Sequence, residues 1–154
     1  SFLNELDTLN EEYIFVLVGN YYHEVKEKCI YLPPQSWEAV QALLAHAYLG
    51  LLPYNDNLDE SNNFIFGGTQ RKVKEYIVAG LPILMRKVIE PIPFPEATIT
   101  FNDGAELADK LNKLDEASYK ELHNGTYLYK EQCLWRTQVQ KVNDVIQWLG
   151  IGHS

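Results

Sequence analysis

The sequence is poor in sulfur, with two cysteines and one methionine in 154 residues. Cys29 and Cys133 are far apart, with no Cys-x-x-Cys pair and no histidine at zinc spacing. That sets aside a metal site and predicts two buried free thiols. Positive charge is also scarce: 13 Lys and Arg face 21 Asp and Glu, for a net charge of −8. Nucleic-acid binders and proteins held on anionic membranes normally carry a broad basic excess, so neither class fits. A small anionic ligand stays open, because one helix N-terminus or one local group of cations can hold a phosphate on an acidic protein. No apolar run approaches the roughly 20 residues that span a bilayer, and the N-terminus lacks the basic-then-apolar pattern of a signal peptide. The expectation is a cytoplasmic location, with no direct membrane insertion by this domain. The usual phosphate motifs are missing too, since there is neither a G-x-G-x-x-G after the first apolar run nor a G-x-x-x-x-G-K-[ST]. A receiver domain would need acidic residues at the carboxyl ends of its strands, whereas Glu11 and Glu12 precede the first one.

What is present suits one domain, since 46% hydrophobic residues can form a core without staples. "YIFVLVG" (13–19), "CIYL" (29–32), "YLGLLPY" (48–54), "PILMR" (82–86) and "ATITF" (97–101) are short apolar runs bounded by Gly or Pro. Strands buried on both faces have this composition. Helical spacing separates them. Ser36 offers an N-cap to a helix over 37–47, residues 70–79 form a short helix that Gly80 can end, and Asp103 with Glu106 makes a capping box. "LDEASYKELHNG" (114–125) reads as an exposed helix and turn. A final helix over about 126–149 carries Leu128, Trp135, Val139, Val142, Ile146 and Leu149 on one face. The fold expected is α/β, a Rossmann-like parallel sheet with helices on both faces, and its ligands belong at the carboxyl ends of the strands.

The chemistry concentrates in "FGGTQRKVKEYIVAGLPIL" (66–84), which follows a polar loop far longer than the usual connection of about 4–6 residues. Gly67 and Gly68 leave the backbone free to approach a ligand, and Thr69 can cap the helix behind them. Free N–H groups there, with Arg71, Lys72 and Lys74 in the first turns, suit a diphosphate. Glu75, one turn on, can accept both hydroxyls of a ribose, in charge-assisted bonds of about 1.5–3 kcal/mol each. The spacing supports a plainer alternative equally well. Arg71 and Lys72 stand at i−4 and i−3 from Glu75, where solvated ion pairs contribute only about 0.2–0.5 kcal/mol.

A strand ending "GLLPY", a loop and then "KVKEYIVAGLPIL" resemble the donor-binding half of GT-B-fold, retaining-type glycosyltransferases. In that family a K-x-x-E-Y-x-x-x-G-x-P-[VI] signature follows a strand ending in Pro-Tyr or Pro-Phe. Lys72, Glu75, Tyr76, Gly80, Pro82 and Ile83 fall on it. "YIFVLVGN", "CIYLPPQSWEAVQALLAHAYLGLLPY" and "TYLYKEQCLWRTQVQKV" are similar to its flanking strand, its base-contacting loop with helix and strand, and its closing helix. The resemblance thus covers nearly the whole chain. It implies a nucleotide-sugar donor, a UDP- or GDP-sugar, with Glu75 on the ribose and the backbone at Gly67 to Thr69 facing the diphosphate or sugar. The loop 32–36 would contact the base, and Tyr54 would border the pocket. Gly19, at the carboxyl end of the first strand, joins the donor-site candidates with Lys72, Arg71 and Tyr76. Two departures stand out. Relatives carry an earlier glutamate where this chain has Gly67, and they begin with one more strand followed by an Arg and a Lys. With a first residue other than Met, this sets the expectation of a single donor-binding domain over 1–154, part of a longer two-domain hexosyltransferase working at the cytoplasmic face of the membrane. The acceptor domain of the same full-length chain would complete the cleft. No catalytic base is assigned to these residues, and no cofactor or metal is expected. A sugar-nucleotide epimerase of the same fold and a non-catalytic interaction module are the alternatives.

Outside this segment the readings are structural. His23, His46, His123 and His153 lack a carboxylate, Ser or Cys partner at a telling spacing. Trp37 reads as a helix-start packing residue more than a base platform, Trp135 and Trp148 as core, and "EPIPFPEA" as a stiff connector. Tyr21, Tyr22 and His23 follow the first strand, where a cleft could include them.

Overall fold

The structure, a computed structural model, describes residues 9, 12–19, 28–53, 71–87 and 92–148. The expectations for Tyr21, Tyr22, His23, Tyr54, Gly67, Gly68, Thr69 and His153 lie outside the described residues. Among the described residues there are five strands: β1 (Phe15–Val18), β2 (Cys29–Leu32), β3 (Gly50–Leu52), β4 (Ile83–Arg86) and β5 (Thr98–Phe101). Five helices are α1 (Trp37–His46), α2 (Arg71–Ala79), α3 (Gly104–Asn112), α4 (Glu116–Cys133) and α5 (Trp135–Trp148), and a 3-10 turn at Pro95–Ala97 leads into β5.

All pairing among the described residues is parallel, as the unbroken apolar runs predict, but it falls into two ladders. β1 pairs with β2 (Phe15 opposite Cys29), while β3, β4 and β5 form a second sheet with Leu51 opposite Leu84 and Leu84 opposite Ile99. β4 explains its own composition, because alternate strand residues face opposite ways. Ile83 and Met85 pack with Leu52, with Val73 and Ile77 of α2 and with Cys133 of α4. Leu84 packs with Phe101 and with Leu107, Ala108 and Leu111 of α3. The three-stranded sheet is therefore covered on both faces. Full burial of Ile77 and Ile83, both 0% exposed, stabilises by about 1.5–3 kcal/mol each.

The β1–β2 ladder is thinner. Val16 and Ile30, paired across it, are each 47% exposed. Tyr13 and Phe15 nevertheless pack against the same cluster as Leu51 and Leu84, and the Tyr13 hydroxyl donates to the Leu111 carbonyl at 3.0 Å. The two ladders thus share a core without sharing backbone hydrogen bonds.

Local signals set the ends. The Ser36 hydroxyl accepts from the Ala39 N–H, as expected of an N-cap. Gly80 takes φ 76°, and the Gly80 and Leu81 N–H groups donate to the Ile77 and Tyr76 carbonyls, a Schellman ending that only an αL residue allows. The Asp103 carboxylate accepts from the Glu106 N–H, and Glu106 reaches back to the N–H of Asn102, one residue before its reciprocal partner in a capping box.

The C-terminal third differs from expectation. Asp115 caps α4, which runs straight through His123-Asn124-Gly125 and stops at Cys133. Leu134 is extended, at φ −65° and ψ 141°, and a separate α5 starts after it. Gly125 is therefore no turn. A Cβ there would lie 2.1 Å from the Glu96 carbonyl oxygen, so the glycine lets the 3-10 turn lie directly on the helix backbone. The Tyr129 hydroxyl donates to the Glu96 carboxylate, and the Phe94 and Tyr129 rings meet at 4.8 Å. Trp135 and Trp148 are not core: they are 80% and 84% exposed, and no residue of α5 is buried. The break at Leu134 takes α5 off the line of α4, so its apolar stripe faces neither core cluster. Cys133 is buried and Cys29 is half-buried on β2, both as free thiols.

Candidate functional site

α1 and α2 each follow a parallel strand and run back along the sheet, so their first residues stand at its carboxyl edge. Those residues are Trp37 and Arg71, and they touch. The Arg71 guanidinium carbon lies 4.8 Å from the centre of the Trp37 ring, a cation–π contact. The same guanidinium donates through Nε to a Glu75 carboxylate oxygen, one turn along α2. Trp37, Arg71 and Glu75 thus form a row, with the guanidinium between an aromatic face and a carboxylate. The Arg71 side chain is 77% exposed and that of Glu75 only 19%, while Trp37 is 47% exposed.

The connectivity places this row at a crossover. α1 leads from β2 of the first ladder to β3 of the second, from which the sheet continues to β4 and β5. Ligands of open parallel sheets bind at the carboxyl ends of the strands.

The other candidates separate. Lys72 is exposed beside the row, yet Arg71 holds Glu75. Lys74 points elsewhere, its ammonium 3.4 Å from the Gln138 amide oxygen on α5. Tyr76 is a packing residue: a Cβ at Gly50 would lie 2.4 Å from its ring, and its hydroxyl donates to the Leu51 carbonyl at 3.3 Å. Gly19 has φ 136°, and its N–H closes on the Leu32 carbonyl at 3.0 Å, which binds the end of β1 to the start of the loop 32–36. Gly67, Gly68, Thr69 and Tyr54 lie outside the described residues. At the end of β4, Arg86 Nε donates to the Asn102 carbonyl at 2.9 Å, another cation on the carboxyl edge that spacing did not single out.

His123 is structural. One ring nitrogen is 2.8 Å from the Gly80 carbonyl and the other 3.3 Å from the Tyr127 hydroxyl, so the ring ties α4 to the end of α2. Tyr48 stacks on Tyr119 at 3.9 Å, and desolvation raises the pKa of both hydroxyls. Among the described residues no group of His, Cys, Asp and Glu could hold a metal ion, and no helix is long and apolar enough to cross a membrane. A shallow groove between β5, α3 and α4, lined by Ile99, Lys110, Leu114, Leu122 and Leu128, shares no residue with the Trp37–Arg71–Glu75 row.

No protein-family model matches the chain, and no curated protein matches it.

Proposed function

We propose that the chain is the nucleotide-sugar donor-binding domain of a glycosyltransferase, Rossmann-like in the manner of a GT-B half and lacking that fold's first strand. The observation that supports this most is the row of Trp37, Arg71 and Glu75 at the carboxyl edge. It combines an aromatic face, an exposed cation and a partly buried carboxylate, the three groups that a base, a diphosphate and a ribose require. Glu75 accepts the ribose hydroxyls. Arg71 and Lys72 face the diphosphate, with Gly67, Gly68 and Thr69 donating backbone N–H groups. Gly19 and Tyr54 border the pocket, and Tyr76 holds α2 on β3. Hexose transfer to a glycan or lipid-linked acceptor occurs against the acceptor domain of the full-length chain at the cytoplasmic face of the membrane; nucleic acid is not a partner, and no metal takes part. The domain supplies the donor half of the reaction and no catalytic base. A sugar-nucleotide epimerase of the same fold would use the same row.

The uncovered stripe on α5 favours a second reading, a non-catalytic module that docks a protein and uses Glu75 only as an ion pair. Titration with UDP, GDP and ADP, beside a folded Glu75→Ala variant, separates the two. Selective binding of one diphosphate that the variant loses supports a donor site. Equal binding by the variant, or none by either protein, sinks it.

A further inference from the structure

Arg71 has two partners at once, the Trp37 ring and the Glu75 carboxylate. One guanidinium therefore fills the gap between an aromatic face and a carboxylate. A nucleoside offers the same two groups a base and a pair of 2′ and 3′ hydroxyls, joined through one ribose. The ring face that could stack a base is occupied, as is the carboxylate that could accept the hydroxyls. An i, i+4 pair whose Arg side chain is 77% exposed is easily broken, and a released guanidinium is a strong partner for phosphate oxygens.

We infer that Arg71 is the specificity-determining residue of this site, a place-holder that a nucleoside diphosphate displaces and a nucleoside monophosphate displaces poorly. This deepens the donor-site proposal and rests on it. In the free protein Arg71 satisfies Glu75 and covers Trp37. On binding, the ribose takes the carboxylate, the base takes the indole face, and Arg71 swings to the diphosphate. Only a ligand with the second phosphate compensates fully for the lost ion pair. Trp37 thereby becomes the base platform, and Arg71 couples base, sugar and phosphate recognition in one movement.

The test is calorimetric titration of UDP, GDP and ADP, each with its monophosphate, into wild type, Arg71→Ala, Trp37→Leu and Glu75→Ala, with circular dichroism to verify folding. Wild type should prefer its best diphosphate over the monophosphate by about tenfold or more, the worth of one charge-assisted bond. In Arg71→Ala that ratio should fall by about tenfold, Lys72 and the backbone N–H groups supplying any preference left, with the monophosphate bound at least as well as by wild type, because Glu75 is then free. Trp37→Leu should weaken both ligands together. An unchanged ratio in Arg71→Ala overturns the place-holder role and leaves the donor site standing. Binding by Glu75→Ala equal to wild type, or no binding by wild type, overturns the donor site and the place-holder with it.

Discussion

Gly125→Ala should weaken the protein although it improves the intrinsic helix propensity of α4. The new Cβ would lie 2.1 Å from the Glu96 oxygen, 2.5 Å from its carbon and 3.1 Å from the Ala97 nitrogen. Ordinary contact needs roughly 3.5 Å, so α4 or the 3-10 turn must retreat by roughly 1 Å or more. The turn is poorly placed to do so: Thr98 Oγ1 donates to the Pro93 and Phe94 carbonyls at 2.8 and 3.0 Å, and Ala97 is 0% exposed. Because backbone rather than a flexible side chain obstructs the methyl, the cost belongs at the upper end of overpacking, about 3 kcal/mol. Replacing a helical glycine returns about 1 kcal/mol. The net loss of about 2 kcal/mol corresponds to a Tm lower by about 4–8 °C in a domain of this size. Thermal unfolding followed by circular dichroism measures it, with exposed Asn124→Ala as the control that gains propensity without a clash. If Gly125→Ala melts at or above the control, the turn does not rest on α4 as described.

Gly50→Ala should destabilise by about 1–3 kcal/mol, since its Cβ would lie 2.4 Å from the Tyr76 ring. Adding Tyr76→Ala should cost less than the two single losses together, and additivity in a denaturant double-mutant cycle would refute the contact. Hydrogen bonds from Lys110 and from Asn102 lower the pKa of Glu106 from 4.5 to about 2. Its stabilisation is then complete above about 4.5 and fades as pH falls toward 2, because the unfolded state binds the proton first. Glu106→Gln should therefore lose stability relative to wild type at neutral pH, with the gap closing over that acid window; a gap constant with pH contradicts it. Asp115→Ala should cost about 1 kcal/mol through the lost bond to the Ser118 N–H, read as a lower urea midpoint. Trp135→Ser should change stability by less than about 0.5 kcal/mol, and wild-type fluorescence should be readily quenched by acrylamide; a protected emission would mean that α5 is covered.

The β3–β4–β5 sheet was legible because burial on both faces forces unbroken apolar composition, and Ile83, Leu84 and Met85 meet that demand, whereas β1 and β2 carry the same composition with Val16 and Ile30 half exposed. The caps at Ser36, Asp103 and Gly80 were legible because each acts through atoms within a few residues of itself. Gly125 was not, since a glycine that ends a helix and one that admits a distant backbone look alike until the neighbour is known. Periodicity showed that Trp135, Val139, Val142 and Ile146 share a side of α5, but nothing in spacing tells whether that side meets a partner. In the candidate site, the Arg71–Glu75 pair follows from helical geometry alone, whereas the Trp37 contact joins two helices whose relative placement only the packed sheet fixes.

Two ladders resting on one core have a consequence for amide exchange. Amides that bond within β3, β4 and β5 are shielded by helices on both sides, and their release requires both core clusters to open. Those of β1 and β2 are released by parting a single four-residue pair, with no neighbouring strand among the described residues to hold the ladder closed. The described residues should thus contain two exchange populations, the faster one carrying Gly19 and the entrance to the loop 32–36, so that this ladder can rearrange while the three-stranded sheet stays rigid.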